Sequence, residues 1–239
     1  MDSKDPFAPT LPVPTANRPL LGLTVLVIED SLYACEAMRL LCLRSGARIR
    51  RADSLRSARR HLQVYRPSVA VIDLGLPDGD GLDLIKDLVN NAPRPQVVLG
   101  TSGDPHSCEA ALNAGADGFL AKPVTSLATF QETILANLPS DRQPNGPRVI
   151  TDEIVQPDPI AFQDDMAHVV EVLESSADER TIDYVAQFLG GVARSAKDHG
   201  LLKATEELAA RRDAGEATSS ETARIVGLIQ QRLTERIAI

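Results

Sequence analysis

The chain has 239 residues, 43% of them hydrophobic, which suits one large domain or two small ones with buried cores. It contains no Trp and only 3% aromatic residues, which argues against a stacking platform for single-stranded nucleic acid. The formal net charge of −8 is carried by residues 151–239, where 17 acidic residues outnumber 9 basic ones, and this argues against DNA binding by that segment.

The first 19 residues contain five prolines and no periodic apolar pattern, so we predict a flexible, Pro-rich tail over residues 1–19. They begin with acidic residues and lack the apolar segment of a secretory signal. No apolar run approaches the roughly 20 residues of a membrane span. Three cysteines without metal-type spacing, Cys35, Cys42 and Cys108, are interpreted as reduced, buried thiols. These features predict a cytoplasmic protein with no membrane partner.

Residues 20–138 alternate between strand and helix patterns and are predicted to form one domain. The predicted strands are LTVLVIED, ARIRRA, SVAVID, QVVLGTS and GFLA, and each is followed by a helical pattern. Ser54 and Asp80 are expected to cap the helices that follow them, and Asp78 is expected to be a solvated turn residue. The alternation predicts an α/β fold with a five-stranded, doubly wound parallel sheet.

A second, smaller domain is predicted after this sheet. Residues 139–159 hold another five prolines and are predicted to be an interdomain linker. Residues 160–239 contain four amphipathic helical patterns joined by short turns and no strand pattern, which predicts a small all-α helical bundle.

Polar side chains stand where the predicted strands end, and these ends meet at one edge of a parallel sheet. Glu29 and Asp30 end the first strand, Asp73 the third and Thr101 the fourth, and Lys122 follows the fifth. Three adjacent carboxylates repel one another, and a divalent cation such as Mg²⁺ relieves that repulsion. A carboxylate beside Mg²⁺, Lys and Thr is placed to attack phosphorus and to hold an acyl phosphate.

The segments VLVIED, VIDLGLPDGDG, VVLGTSG and AGADGFLAKP, in this order, make residues 22–138 resemble the receiver domain of two-component response regulators. The resemblance implies a flavodoxin-like sheet with Asp73 as the phosphoacceptor. It further implies that Asp30, Asp73 and the Gly75 carbonyl bind Mg²⁺, with Glu29 acting through water. It also implies that Thr101 and Lys122 contact the phosphoryl group.

Three further positions take their meaning from this resemblance. Phe119 matches the switch aromatic that turns inward when Thr101 follows the phosphoryl group, and a plain core Phe is an equal alternative. Gly75 and Gly103 lie two residues after Asp73 and Thr101, where receiver side chains influence water access. With no side chain there, we predict that hydrolysis of the acyl phosphate is not sterically impeded.

The C-terminal helices weakly resemble a histidine phosphotransfer domain that lacks its phosphorylatable His. Placed on the pattern H-x-x-K-G, the His position falls on Gln187, the Lys on Gly190 and the Gly on Gly191. Gln cannot accept a phosphoryl group as imidazole does, so no phosphorelay from this position is expected. A plain helical bundle is the alternative, and the sequence slightly favours it. The two glycines suggest close approach of another helix, or a break in this one.

The sequence therefore predicts a response regulator, not an enzyme apart from the receiver's own phosphorylation and dephosphorylation. Asp73 would be phosphorylated, with Mg²⁺, by a histidine kinase or phosphotransfer protein. The acidic residues 160–239 would then engage a protein partner or a second copy of the chain. A DNA-binding transcriptional response regulator is the alternative, which the acidic charge disfavours. An output enzyme is disfavoured because residues 140–239 hold no nucleotide-binding or metal-ligand motif.

Overall fold

The computed structural model describes residues 13–91, 94–104, 106–144, 153–176 and 178–234. Residues 1–12 of the predicted tail and residues 145–152 of the predicted linker lie outside the described residues.

A five-stranded parallel sheet forms the centre of the first domain, as the alternation of strand and helix patterns predicts. Its strands are β1 (Thr24–Ile28), β2 (Arg48–Ala52), β3 (Val69–Asp73), β6 (Val97–Ser102) and β7 (Gly118–Ala121), in the order β2-β1-β3-β6-β7. Two short strands, β4 (Gly75–Leu76) and β5 (Gly79–Asp80), pair as a separate antiparallel hairpin directly after β3. With this hairpin set aside, the strand order is the doubly wound order 2-1-3-4-5.

Five helices cover the two faces of the sheet: α1 (Leu32–Ser45), α2 (Leu55–Val64), α3 (Gly81–Asn90), α4 (Ser107–Asn113) and α5 (Leu127–Ala136). One apolar core lies between the sheet and α1 and α5, and a second lies between the sheet and α2, α3 and α4. Because both faces are covered, β1, β3 and β6 are almost entirely buried, which explains their continuous apolar sequences.

Short polar side chains begin several of these helices. Ser54 caps α2 and Asp80 caps α3, as predicted. Asp78 is an exposed turn residue, as predicted, and its carboxylate also accepts hydrogen bonds from the backbone N–H groups of Leu55 and Arg56 at 2.8 and 2.9 Å. Asp78 therefore supports the start of α2, because the first N–H groups of a helix have no intrahelical acceptor.

The C-terminal part forms a four-helix bundle, as predicted: α6 (Pro159–Ser175), α7 (Glu179–Ala196), α8 (His199–Asp213) and α9 (Ser219–Thr234). Its core is built from residues of all four helices, including Met166, Leu189, Leu201 and Ile225. Helix α7 continues unbroken through Gly190, where a Cβ would lie 3.5 Å from Thr205 Oγ1. Of the two readings of the paired glycines, close helix approach is therefore the one that the structure supports.

The end of the predicted linker packs against the receiver-like domain. Val155 is buried in the core beneath α1 and α5, and its N–H donates to the carbonyl of Thr125 at 2.9 Å. The Leu127 N–H donates to the Glu153 carbonyl, and the Glu153 carboxylate pairs with Arg44 at 2.8 Å. These contacts fix the start of α6 beside α1.

Within the described ranges, no helix combines the length and the apolar character needed to cross a bilayer. All three cysteines are free thiols. Cys35 and Cys42 are buried as expected, whereas Cys108 is only half-buried.

Candidate functional site

The predicted acidic residues come together at the carboxyl edge of the sheet. Glu29 and Asp30 follow β1, and Asp73 is the last residue of β3, the strand beside it. Each contributes one oxygen to a cluster whose members all lie within 4.8 Å of one another. Glu29 is only 1% exposed and Asp73 only 6%. The site is therefore a buried acidic cluster placed by the parallel arrangement of neighbouring strands.

Lys122, the residue after β7, bridges two of these carboxylates. Its ammonium Nζ lies 2.8 Å from Asp73 Oδ2 and 2.7 Å from Glu29 Oε2. Burial by itself would lower the pKa of Lys122, but the two carboxylates outweigh it and raise that pKa. Lys122 therefore stays charged and partly neutralises the cluster.

One ammonium does not neutralise three carboxylates. Burial, with the charges of Asp73 and Asp30, raises the pKa of Glu29 to about 8 even though Lys122 opposes the rise. Burial and the charge of Asp73 raise the pKa of Asp30 to about 7. A hard divalent cation with oxygen ligands fits this electron-rich, under-neutralised site.

Of the two predicted switch residues, Thr101 pairs with Asp73 in the sheet, and Phe119 pairs with Gly100 from the next strand. Thr101 is 1% exposed, and its hydroxyl donates a hydrogen bond to the Leu120 carbonyl at 2.7 Å, between β6 and β7. Phe119 is half-buried and packs against the core between the sheet and α2, α3 and α4. In this arrangement, the Thr101 hydroxyl is bonded to the neighbouring strand.

The helical bundle contacts this edge of the sheet through a residue that the sequence analysis missed. Asp165 of α6 is 1% exposed, and its carboxylate accepts hydrogen bonds from Ser31 Oγ at 2.7 Å and from the N–H groups of Leu32 at 2.7 Å and Tyr33 at 3.1 Å. Burial raises the pKa of Asp165, and these hydrogen bonds oppose the rise. A carboxylate of the bundle thus binds the N-terminus of α1, immediately after Asp30.

A second missed residue, Tyr184 of α7, reaches the acidic cluster itself. Its hydroxyl donates a hydrogen bond to Asp30 Oδ2 at 2.8 Å. Burial and the charge of Asp30 raise the pKa of Tyr184, so the phenol remains protonated and remains a donor. The signal in the sequence was helical spacing: Asp165 stands in line with Phe162 and Val169 on an apolar face, and Tyr184 stands in line with Phe188.

A cavity of about 300 Å³ separates the acidic cluster from α7 and α8. Asp73, Lys122 and Gly75 line it on the receiver side, and Gln187 and Arg194 line it on the side of the bundle. A Cβ atom placed on Gly75 would collide with the amide of Gln187. The carboxamide of Gln187 therefore lies directly over Gly75, and the prediction that hydrolysis is not sterically impeded stays a prediction.

A doubly wound α/β domain with a buried acidic cluster and a lysine at the carboxyl edge agrees with the class of domain that the four sequence segments resemble. Residues 25–134 match the family model described as the response regulator receiver domain. Residues 25–134 are therefore a response regulator receiver domain of two-component signal transduction, as the four sequence segments indicate.

The chain is similar to the KDP operon transcriptional regulatory protein KdpE of Escherichia coli, with 35% identity over 99 residues. That alignment covers 41% of this chain and 44% of KdpE. The transcriptional regulatory protein PhoP of E. coli is 33% identical over 100 residues, which are 41% of this chain and 45% of PhoP. The chain thus matches less than half the length of these curated relatives.

Among solved structures, a two-component response regulator from Clostridium difficile superposes with a TM-score of 0.44 and 22% identity, covering 48% of this chain and 94% of that chain. CheY4 of Vibrio cholerae, a chemotaxis response regulator, gives a TM-score of 0.44, also with 22% identity, over 48% of this chain and 98% of that one.

Proposed function

We propose that this chain is a response regulator that is phosphorylated on Asp73 by a histidine kinase or a phosphotransfer protein. The phosphorus–nitrogen bond of a phosphohistidine would break as a bond forms between phosphorus and a carboxylate oxygen of Asp73. The support is the position of this carboxylate, at the end of a central strand and 2.8 Å from the Lys122 ammonium. Lys122 would neutralise charge on the transferring phosphoryl oxygens.

Mg²⁺ is the cation that suits the acidic cluster. Asp30, Asp73 and the carbonyl of Gly75 would bind it directly, and Glu29 would act through water. When bound, the ion supplies positive charge opposite the phosphoryl oxygens. Thr101 would contact the phosphoryl group after its hydroxyl leaves the Leu120 carbonyl.

The bundle of α6–α9 is proposed as the output element, acting on a protein partner or on a second copy of the chain. The observation that carries this proposal is the hydrogen bond from Tyr184 of the bundle to Asp30 of the acidic cluster. Any change in charge or ligation at Asp30 changes the energy of that contact. The occupancy of the site would therefore alter how firmly the bundle is docked.

The bundle is further proposed to be a degenerate phosphotransfer domain, with a plain helical bundle as the alternative. Gln187, at the position where the pattern H-x-x-K-G carries its His, lines the cavity that contains Asp73. That placement supports the first reading, because a phosphohistidine must approach the phosphoacceptor in this way. A glutamine amide does not accept a phosphoryl group as an imidazole does, so the bundle would dock without transferring one.

A DNA-binding output is the second candidate, because KdpE and PhoP are named transcriptional regulatory proteins. Their similarity to this chain covers only about 100 residues. The net charge of −8 over residues 151–239 favours a protein partner instead.

The test uses the full chain and an Asp73→Asn variant, each with Mg²⁺ and acetyl phosphate. One phosphoryl group, detected by intact mass, is expected on the wild type and none on the variant. A pull-down from lysate with and without beryllofluoride then tests the output, and the expected result is a partner whose capture depends on beryllofluoride. Identical capture in every condition would contradict the phospho-switch, and salt-dependent retention on DNA would favour the second candidate.

A further inference from the structure

Two side chains of α7 enter the space over the two glycines that flank the phosphoacceptor. A Cβ on Gly75 would collide with Gln187, and a Cβ on Gly103 would collide with the guanidinium of Arg194. Gln187 and Arg194 are seven residues apart, which is close to two full turns, so they lie on the same face of the helix. Both line the cavity above Asp73.

The receiver lacks side chains at both positions, and the bundle supplies polar ones. Gly75 lies two residues after Asp73, and Gly103 follows the end of β6. The carboxamide of Gln187 can both donate and accept a hydrogen bond, and the guanidinium of Arg194 carries a fixed positive charge. Arg194 lies 4.0 Å from the carboxylate of Glu206, which is at the limit of an ion pair.

The volume of the cavity indicates whether water can stand between these groups and Asp73. At about 30 Å³ per molecule of liquid water, a cavity of about 300 Å³ holds a phosphoryl group together with several waters. Gln187 is itself exposed, so the cavity remains open to solvent. Helix α7 therefore leaves water beside Asp73, and its polar groups are placed to orient that water.

We infer that Gln187 and Arg194 accelerate hydrolysis of the acyl phosphate on Asp73, so that the docked bundle acts as an internal dephosphorylating element. This inference rests on the proposed phosphorylation of Asp73. Gln187 orients the attacking water, and Arg194 stabilises the charge on the phosphoryl oxygens. A bond forms between the water oxygen and phosphorus as the bond from phosphorus to Asp73 breaks. The products are the Asp73 carboxylate and dihydrogen phosphate, which keeps both hydrogens of the water.

The experiment follows the loss of label from full-length protein phosphorylated with radiolabelled acetyl phosphate in the presence of Mg²⁺. Gln187→Ala and Arg194→Ala are each expected to lose label at least about tenfold more slowly than the wild type, since positioned groups of this kind contribute this much or more. Arg194→Lys is expected to recover part of the rate, because it keeps the charge but loses the planar fork. Lys203→Ala, which removes an exposed cation of α8, is the matched control and is expected to behave as wild type.

The affinity for beryllofluoride, measured by calorimetry, provides a readout that does not depend on hydrolysis. Arg194→Ala is expected to weaken binding of this phosphoryl mimic, while Gln187→Ala leaves it nearly unchanged. Thermal melting verifies that each variant is folded.

Wild-type rates of label loss in both alanine variants would overturn the inference and leave the phosphorylation of Asp73 intact. Faster loss in the variants would also overturn it, because it would mean that α7 shields the acyl phosphate. If the wild type takes up no more label than Asp73→Asn, the proposed function itself fails, and the inference fails with it.

Discussion

Replacing Asp165 with Ala is expected to release the bundle from the receiver domain. Asp165 is buried, and it accepts hydrogen bonds from Ser31 Oγ and from the N–H groups of Leu32 and Tyr33. These two N–H groups belong to the first turn of α1, where no intrahelical acceptor exists. Asp165→Ala therefore removes their acceptor, and water can replace it only if the domains separate.

The expected loss of docking free energy follows from these contacts. A hydrogen bond to a charged group contributes about 1.5–3 kcal/mol, and the desolvation of a buried carboxylate offsets part of the sum of three. A net loss of about 3 kcal/mol is a reasonable expectation for Asp165→Ala. At about 1.4 kcal/mol for each factor of ten, the ratio of docked to undocked chains would fall more than a hundredfold.

Amide hydrogen exchange measures this directly, because Asp165 is the acceptor that protects the amides of Leu32 and Tyr33. Their protection is expected to fall about a hundredfold in Asp165→Ala, while amides in the strands of the sheet keep theirs. Asp164→Ala is the control, since Asp164 is the exposed neighbour of the same residue type on the same helix. Equal protection of these two amides in both variants would refute the role assigned to Asp165.

Three further predictions concern single contacts. Tyr184→Phe removes the hydrogen-bond donor to Asp30 but keeps the ring. The Mg²⁺ affinity, measured by calorimetry, is therefore expected to rise by up to about tenfold. An unchanged affinity would contradict this prediction. Gly100→Ala is expected to lower stability by about 1–3 kcal/mol in denaturant unfolding, because its Cβ would lie 2.8 Å from a side chain of α4; an unchanged midpoint would contradict this. A hydrogen bond from Arg232 lowers the pKa of Asp198, so the stability from this pair is complete above the ordinary Asp pKa of about 3.9 and is lost as the pH falls below it. Asp198→Asn should remove that acid dependence in a pH series of thermal melts, and an unaltered dependence would argue against the pair.

The predicted fold agrees with the structure because its signals are local. The apolar runs of β1, β3 and β6 reflect burial on both faces, and the caps at Ser54 and Asp80 are short-range hydrogen bonds. Asp78 is the exposed turn residue that its sequence predicts, but the hydrogen bonds that its carboxylate accepts were not predicted, because their donors, at the start of α2, are 22 and 23 residues away in the chain. A turn-forming sequence contains no information about such a partner.

The acidic cluster could also be predicted from the sequence, because a parallel sheet brings the carboxyl ends of its strands to one edge. The order of the strands was enough to predict that four residues lie together: Glu29, Asp30, Asp73 and Lys122. The roles of Thr101 and Phe119 as switch residues remain predictions, since they concern a change between two states.

The sequence by itself determined that this protein has a receiver domain with an acidic edge, followed by a bundle of four helices. Periodicity and strand-end chemistry depend on neighbours along the chain and on the regular geometry of one sheet. Only the tertiary structure decided that the bundle docks on that edge, with Asp165 on the start of α1, Tyr184 on Asp30, and Gln187 and Arg194 over two glycines. Those contacts join residues more than 90 positions apart on the surfaces of two parts that each have their own apolar core, and no local pattern of hydrophobicity or propensity specifies such a pairing.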